Sequence, residues 1–356
     1  MERMSVSISR PGDAERMTDG FRVLYLGGLG RSGSTLIERL IGELPGVCSV
    51  GELVHLWQRG VLAGERCGCG APFHDCPFWR RVGATAFGGW HDADADRISA
   101  LRRQVDRNRF IPLLATSDGP PAFRRALHEY LSVYLRLYNA VAEASGCRIV
   151  VDSSKLASLA FCLHRSGDLD LRVLHVVRDS RAVAYSWTRH VTRPDVAPPG
   201  SDDPPVQRSV AAHSYMTKYP PASAALRWNI QNSALHVLAR TGPPTLLVRY
   251  EDVVRDPEPA LREVAAFAGV PVSDEPLRFL GGDGAGHHAD LGAAHTVSGN
   301  PVRFLSGQVP IRRDDAWLAA MPTGQRRAVT ALTLPLLGRY GYVGGGWRAQ
   351  KRRGAP

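Results

Sequence analysis

The sequence predicts a three-layer α/β/α fold with a central parallel sheet, on three observations. Short runs rich in Val, Ile, Leu and aromatic residues recur along the chain, each is followed by a segment of helical periodicity, and a glycine-rich turn joins the first such pair. The runs are Phe21–Gly28 (FRVLYLGG), Arg148–Asp152 (RIVVD), Leu171–Val177 (LRVLHVV) and Thr245–Tyr250 (TLLVRY), with one more short strand expected just before Glu52. They are apolar on both faces, as strands covered by helices on either side must be. Their helical partners are Ser34–Leu44, whose Leu36, Ile37, Leu40, Ile41 and Leu44 share a face, then Lys155–His164, Arg181–Val191 and Pro257–Ala268. Longer helical stretches, Phe123–Ala144 and Ala222–Arg240, interrupt the alternation, and two more follow around Asp314–Met321 and Gln325–Leu337. Ligands in such a fold sit beyond the carboxyl ends of the strands.

With 356 residues, 44% hydrophobic and 22% charged, the composition is that of a globular chain and excludes disordered, collagenous and coiled-coil classes. One domain is expected over 21–342, between a disordered segment 1–20 and a basic tail 343–356. It carries a Cys-rich insertion at about 64–80 and a Pro-, Asp- and Ser-rich lid at about 192–221. Gly281–Pro310 reads as irregular. The 44 basic residues outweigh the 34 acidic ones by +10, and the only lysines are Lys155, Lys218 and Lys351. The arginines are spread along the chain rather than gathered into a stripe, so no nucleic-acid partner is expected. No apolar leader and no run of about 18 apolar residues is present, so neither secretion nor a membrane span is expected and the location is read as cytoplasmic.

The chemistry gathers at two places. Gly28-Leu-Gly-Arg31-Ser32-Gly33-Ser34-Thr35 follows the first strand and opens the first helix, so its backbone N–H groups and the positive helix end face one anion. The spacing is that of a Walker A loop, hence a P-loop-type fold, but Ser34 stands where the phosphate-binding Lys belongs. A loop offering Arg31, hydroxyls and amides suits an anion bound without a metal. The second place is Arg178, closing a strand, with Ser186 eight residues on in the next helix, a pair able to hold another phosphate.

Together these motifs resemble the nucleotide-dependent sulfotransferases, and more closely the bacterial branch and the similar tyrosylprotein sulfotransferases, whose loop reads R-S-G-[ST]-T. The resemblance runs from about Phe21 to Arg303. It implies 3′-phosphoadenosine 5′-phosphosulfate (PAPS) as co-substrate, with adenosine 3′,5′-bisphosphate as product and no metal required. Arg31, Ser32, Gly33, Ser34 and Thr35 would bind the 5′-phosphosulfate, Arg178 and Ser186 the 3′-phosphate and Tyr250 the adenine side. Asn300 and Arg303 would belong to the late nucleotide-binding loop. Glu52, in a Gly-Glu context 21 residues after Arg31, is the expected base towards the acceptor, with His55 in reserve. Lys155 is expected on the bridging and sulfuryl oxygens, with Arg31 sharing the developing charge. The acceptor is expected to be a small molecule or natural product bearing a hydroxyl. A sulfuryl group carries less charge than a phosphoryl group, so cationic side chains and amides replace a Mg²⁺ clamp on its oxygens.

The chain departs from the vertebrate cytosolic branch, whose loop opens with Lys and whose base is His. It departs from the tyrosylprotein pattern at His190, where that family carries Arg. A P-loop phosphotransferase, for which Asp152 would serve as the Walker B acid, and a non-catalytic nucleotide-binding protein are the competing readings. Cys67, Cys69, His74 and Cys76 lie within ten residues and admit three readings: a Cys₃His zinc site, a disulfide, or a loop with reduced thiols.

Overall fold

The computed structural model describes residues 20–116, 119–191, 216–271, 277–283 and 286–343. In chain order the elements are β1 (Arg22–Gly27), α1 (Ser34–Gly42), β2 (Val47–Gly51), α2 (Pro77–Phe87), α3 (Ala95–Val105), α4 (Ile111–Ala115), α5 (Pro121–Ser145), β3 (Ile149–Lys155) and α6 (Ala157–His164). There follow β4 (Leu171–Val177), α7 (Ser180–Thr188), α8 (Pro221–Thr241), β5 (Thr245–Arg249), α9 (Tyr250–Arg255), α10 (Pro257–Ala268), β6 (Leu280–Asp283), β7 (Gly286–Leu291), β8 (Gly307–Ile311), α11 (Ala316–Ala320) and α12 (Thr323–Arg339).

Strands β2-β3-β1-β4-β5 form a parallel sheet in that order. β1 lies at its centre, and the alternation of side chains along β1 builds both cores. Val23 and Tyr25 point into one, with Tyr134, Leu137 and Tyr138 of α5 and Leu159 and Phe161 of α6. Leu24 and Leu26 point into the other, with Ile37, Leu40 and Ile41 of α1 and Leu261, Val264 and Ala265 of α10. A strand buried on both faces must read as continuously apolar, which is why the expected three-layer α/β/α architecture was visible in FRVLYLGG. Because the chain passes from β1 to β2 on one side and later to β4 on the other, a crevice opens where β1 ends.

Several expected boundaries move. β3 continues through Ser153 and Ser154 to Lys155, and the helix expected from Lys155 starts at Ala157. The serines stay extended because their hydroxyls find tertiary partners: Ser153 donates to Glu38 Oε2 at 2.6 Å, and Ser154 Oγ accepts the Val54 N–H at 2.9 Å. Tyr250 opens a short helix rather than closing a strand. After Glu52 the chain makes a 3-10 turn, Leu53–His55, followed by a π-helical stretch, Leu56–Leu62. Gly281–Pro310, expected to be irregular, contains most of an antiparallel sheet, β6-β7-β8. Its glycines and histidines mask the strand signal. Its inward side chains nonetheless alternate, Ala289 and Leu291 against Val309 and Ile311, and complete the α1-side core. The proposed lid lies outside the described residues over 192–215, as do the N-terminal segment 1–19 and the tail 344–356. Among the described residues no helix is long and apolar enough to cross a membrane.

A buried polar network ties β3 to the helices above it. Tyr138 donates to Asp152 Oδ2 at 2.7 Å, and Ser154 supplies its backbone N–H to Oδ1 at 2.8 Å. Asp106 accepts from Ser158 at 2.5 Å and from Tyr130 at 3.0 Å. Burial pushes the Asp152 carboxyl up to about 6, against the hydrogen bonds of Ser154 and Tyr138 that favour its ionised form. The folded state therefore holds this proton more tightly than the unfolded chain, so the contribution to stability is greatest in acid and is lost as pH rises through about 6. In urea unfolding from about pH 4 to about pH 7, Asp152→Asn should gain on the wild type towards neutrality, by on the order of 2–3 kcal/mol in total. A difference that does not change with pH would mean Asp152 stays charged throughout.

Candidate active site

A cleft of about 1040 Å³ opens at the carboxyl ends of β1, β3 and β4. Its floor is the turn between β1 and α1, where Gly33 precedes α1 with φ of 80° and no side chain caps the helix. The unpaired N–H groups of the first turn, and Ser34 and Thr35, are left to the cleft. A Cβ at Gly33 would overlap the ring of Tyr250, so only glycine allows the aromatic ring to close under the loop.

Three non-glycine residues among those described have positive φ: Arg31 (75°), Lys155 (70°) and Ser298 (60°). Arg31 and Lys155 line the cleft and Ser298 adjoins its lining residue Gly299. Backbone strain of about 1–3 kcal/mol per residue persists only where tertiary contacts enforce it. At Lys155 those contacts are explicit: its carbonyl accepts from Gly28 N–H at 3.1 Å and from Gln231 Nε2 at 2.6 Å. The left-handed turn throws the side chain across the cleft, where Nζ donates to Glu52 Oε1.

Glu52 is fixed from below. Its N–H donates to Val297 O at 2.8 Å, and the N–H of neighbouring Gly51 donates at 2.7 Å to Glu38, a fully buried carboxylate that also accepts from Ser49 and Ser153. Burial acts to raise the Glu52 carboxyl, but the Lys155 ammonium, with His55 and Arg59, outweighs it and holds the group below the usual carboxylate range. Glu52 Oε2 also lies 3.5 Å from His55 Nε2. Partial burial and the cations around His55 push its imidazole down, so it is neutral at pH 7. The Glu52 side chain does not cap the following turn; only its carbonyl does, accepting from His55 N–H at 2.9 Å.

At the other end of the cleft, Arg178 donates to Arg31 O at 3.1 Å and to the carbonyl and carboxylate of Asp314 at 3.0 and 3.2 Å. Its guanidinium lies 4.7 Å over the Tyr250 ring, and Nε is buried without a partner. Arg31 leaves Nε and Nη2 buried and unpartnered, 5.3 Å above Trp187, whose Nε1 donates to Gly30 O at 3.1 Å. Burial lowers the Arg31 guanidinium from its ordinary value. Cationic forks with unused donors facing one cleft are the complement of a polyanion.

The structure thus brings together Arg31, Gly33, Ser34, Thr35, Glu52, Lys155, Arg178, Ser186, Tyr250 and Asn300 on one surface. Two expected residues are placed elsewhere. Ser32 is buried beneath the loop with its hydroxyl unpartnered. Arg303 is 1% exposed and donates to Thr296 O and Arg66 O, both at 2.6 Å, so it braces main chain rather than facing the cleft. Asp152, the acid a phosphotransferase would present, is wholly buried in its own network. Sequence reasoning missed Arg59, Arg189, Arg227 and Arg312, which line the cleft too, so among the described residues cations from seven positions share the lining with two carboxylates, Glu52 and Asp314. Scattered in sequence, they carry no local signal. It also mistook the imidazole beside the cysteines. His74 turns outward to Val61 O at 3.0 Å, and the group that joins Cys67, Cys69 and Cys76 is His295, more than two hundred residues along the chain.

Residues 148–280 match the family model of the sulfotransferase domain. Human carbohydrate sulfotransferase 2 is 34% identical over 306 residues, covering 76% of this chain and 58% of that protein, and human carbohydrate sulfotransferase 3 is 25% identical over 57% and 41%. The chain spans about half the length of the curated relatives it matches. Among solved structures, the sulfotransferase domain of the Synechococcus olefin synthase aligns with a TM-score of 0.45 at 20% identity, covering 90% of this chain and 97% of that one. A mouse sulfotransferase complexed with PAP aligns with a TM-score of 0.40 at 12% identity, covering 99% and 98%. The sequence matches support the sulfotransferase family for this chain.

The seat of Tyr250 under the loop can be tested alone. Gly33→Ala should destabilise the chain by about 2–5 kcal/mol in chemical denaturation, the left-handed backbone plus the overlap with the ring. In a Tyr250→Ala background the same change should cost only about 1–2 kcal/mol, the left-handed backbone alone. Equal costs in the two backgrounds would show that the ring does not occupy this place.

Proposed function

We propose that the cleft transfers a sulfuryl group from PAPS to the hydroxyl of an acceptor, most simply a small molecule or natural product. The observation that carries this reading is the Glu52–Lys155 pair, held over an anion-binding loop that lacks the Walker Lys. The loop's missing ammonium is supplied from the end of β3, on a backbone bent into the left-handed region to deliver it. The match of residues 148–280 to the sulfotransferase domain supports the same assignment.

The roles follow from position. Backbone N–H groups at the start of α1, with Ser34, Thr35 and the unpaired donors of Arg31, bind the 5′-phosphosulfate. Arg178 and Ser186 take the 3′-phosphate, and Tyr250 packs below. Lys155 moves from the Glu52 carboxylate to the oxygens on which negative charge develops. Glu52 then loses its strongest cationic neighbour, its affinity for a proton rises, and it accepts the proton of the attacking hydroxyl. Basicity is thereby coupled to occupation of the donor site. We assign residues 21–342 to this one catalytic unit, near the bacterial and tyrosylprotein forms through Arg31-Ser-Gly-Ser-Thr35 and Gly51-Glu52. A reducing, cytoplasmic setting fits its six unpaired cysteines.

Glu52→Gln should lower kcat by about 10²–10⁴-fold. It should change the dissociation constant for adenosine 3′,5′-bisphosphate, measured by calorimetry, no more than about threefold. Wild-type-like transfer by this variant would remove Glu52 as the base. Arg178→Ala should weaken bisphosphate binding by about 10–100-fold, the loss of a charge-assisted pair. Mg²⁺-dependent transfer of a phosphoryl group from a nucleoside triphosphate, with no sulfuryl transfer from PAPS, would instead favour the phosphotransferase reading.

A further inference from the structure

Away from the cleft, Cys67, Cys69, Cys76 and His295 bring three sulfurs and one imidazole nitrogen within 4.8 Å of one another. Cys76 Sγ lies 3.3 Å and Cys67 Sγ 3.7 Å from His295 Nδ1, and Cys69 Sγ lies 3.8 Å from Cys76 Sγ. A tetrahedral zinc site with Zn–S of about 2.3 Å and Zn–N of about 2.0 Å has edges of about 3.8 Å between sulfurs and about 3.5 Å between sulfur and nitrogen. The three shortest-range contacts above, 3.3, 3.7 and 3.8 Å, are of that size, and no edge exceeds 4.8 Å.

Hydrogen bonding does not account for the cluster. Two thiols converge on one ring nitrogen, which has a single lone pair or a single proton to offer. A disulfide would use two of the four donors and leave the others aimed at nothing. A cation at the centre uses all four.

The chain around the cluster is shaped for it. Gly70 N–H donates to Cys67 O at 2.8 Å, folding the Cys-Gly-Cys segment into a tight turn, and Gly68 N–H donates to Thr296 O at 2.9 Å. A side chain at Gly68 would strike Thr296 and Ala294, so glycine lets the loop close on the His295 segment. Phe78 stacks on the His295 ring at 4.8 Å. We propose that Cys67, Cys69, Cys76 and His295 Nδ1 bind one structural Zn²⁺. Binding releases three thiol protons to solvent, keeps the imidazole proton on Nε2, and leaves a closed four-coordinate site.

The zinc has a consequence for the cleft, because the strand-like segment after His295 is the ledge under Glu52. Val297 pairs with Gly51, its N–H donating to Val50 O at 2.9 Å and its carbonyl receiving Glu52 N–H at 2.8 Å. The ion ties the Cys-rich insertion to this ledge and so positions Glu52 from a distance.

Metal analysis of the purified full-length chain, loaded with stoichiometric zinc under reducing conditions and then desalted, tests the site independently of any transfer activity. About one zinc per chain is expected. His295→Ala should lose most of it and His74→Ala none, since His74 points elsewhere. Chelation should lower the thermal midpoint by several degrees, and added zinc should restore it. Should His295→Ala fail to fold, the Co²⁺-substituted wild-type chain decides, through thiolate charge-transfer and tetrahedral ligand-field bands. Fewer than about one zinc in ten chains, a disulfide among these cysteines in the freshly purified protein, a different resident metal, or full retention of zinc by folded His295→Ala would each overturn the proposal.

Discussion

The left-handed backbone at Lys155 is the constraint on which the site depends. An extended strand would point its last side chain out of one face of the sheet, whereas φ of 70° turns it across the crevice. That conformation costs free energy for a residue with a Cβ, and two hydrogen bonds to one carbonyl offset it. Their donors come from Gly28, at the end of β1, and Gln231, on α8. The anion-binding turn, β3 and α8 are therefore joined at the same atom that aims the ammonium. Disturbing any one of the three releases the strain and loses the direction of Lys155.

A second consequence concerns charge. Among the described residues seven cationic side chains line the cleft; Lys155 pairs with Glu52, and Arg178 and, at 4.0 Å, Arg189 pair with Asp314. Arg31 is held between Trp187 and the loop with two nitrogens unpartnered. Such an arrangement sets up a strong positive potential at low dielectric, which draws a polyanion and disfavours neutral ligands. Glu52 is held ionised in this field, its proton affinity lowered chiefly by Lys155.

The rear wall of the site is built from far along the chain. Glu52 rests on Val297, Val297 follows His295, and His295 meets three cysteines of the insertion before α2. Arg303 adds a second brace, its fork spanning Thr296 and Arg66. What reads in sequence as a nucleotide-binding arginine is here a clamp between two loops. The buried Glu38, beneath Gly51 and Ser153, holds the ends of β2 and β3 together in the same way.

Local chemistry was enough to read the strands, since β1 must be apolar on both faces, and to read the loop, since Gly33 and the residues around it act through their own backbone. Lys155 and Glu52 were singled out as expected members of the site by the resemblance, Lys155 also by its rarity in the chain. Only the tertiary structure decided how they meet, because neither the strain at Lys155 nor the ledge at Val297 has a signature within a few residues. The same holds for His295 in place of His74. A histidine seven residues from Cys67 is near in sequence, but its ring bonds to Val61 O, while the distant imidazole is carried in by the segment that pairs with β2. Side chains that act through their own backbone leave a pattern in the sequence; partners brought together by folding, such as His295 with Cys76 or Gln231 with Lys155, leave none.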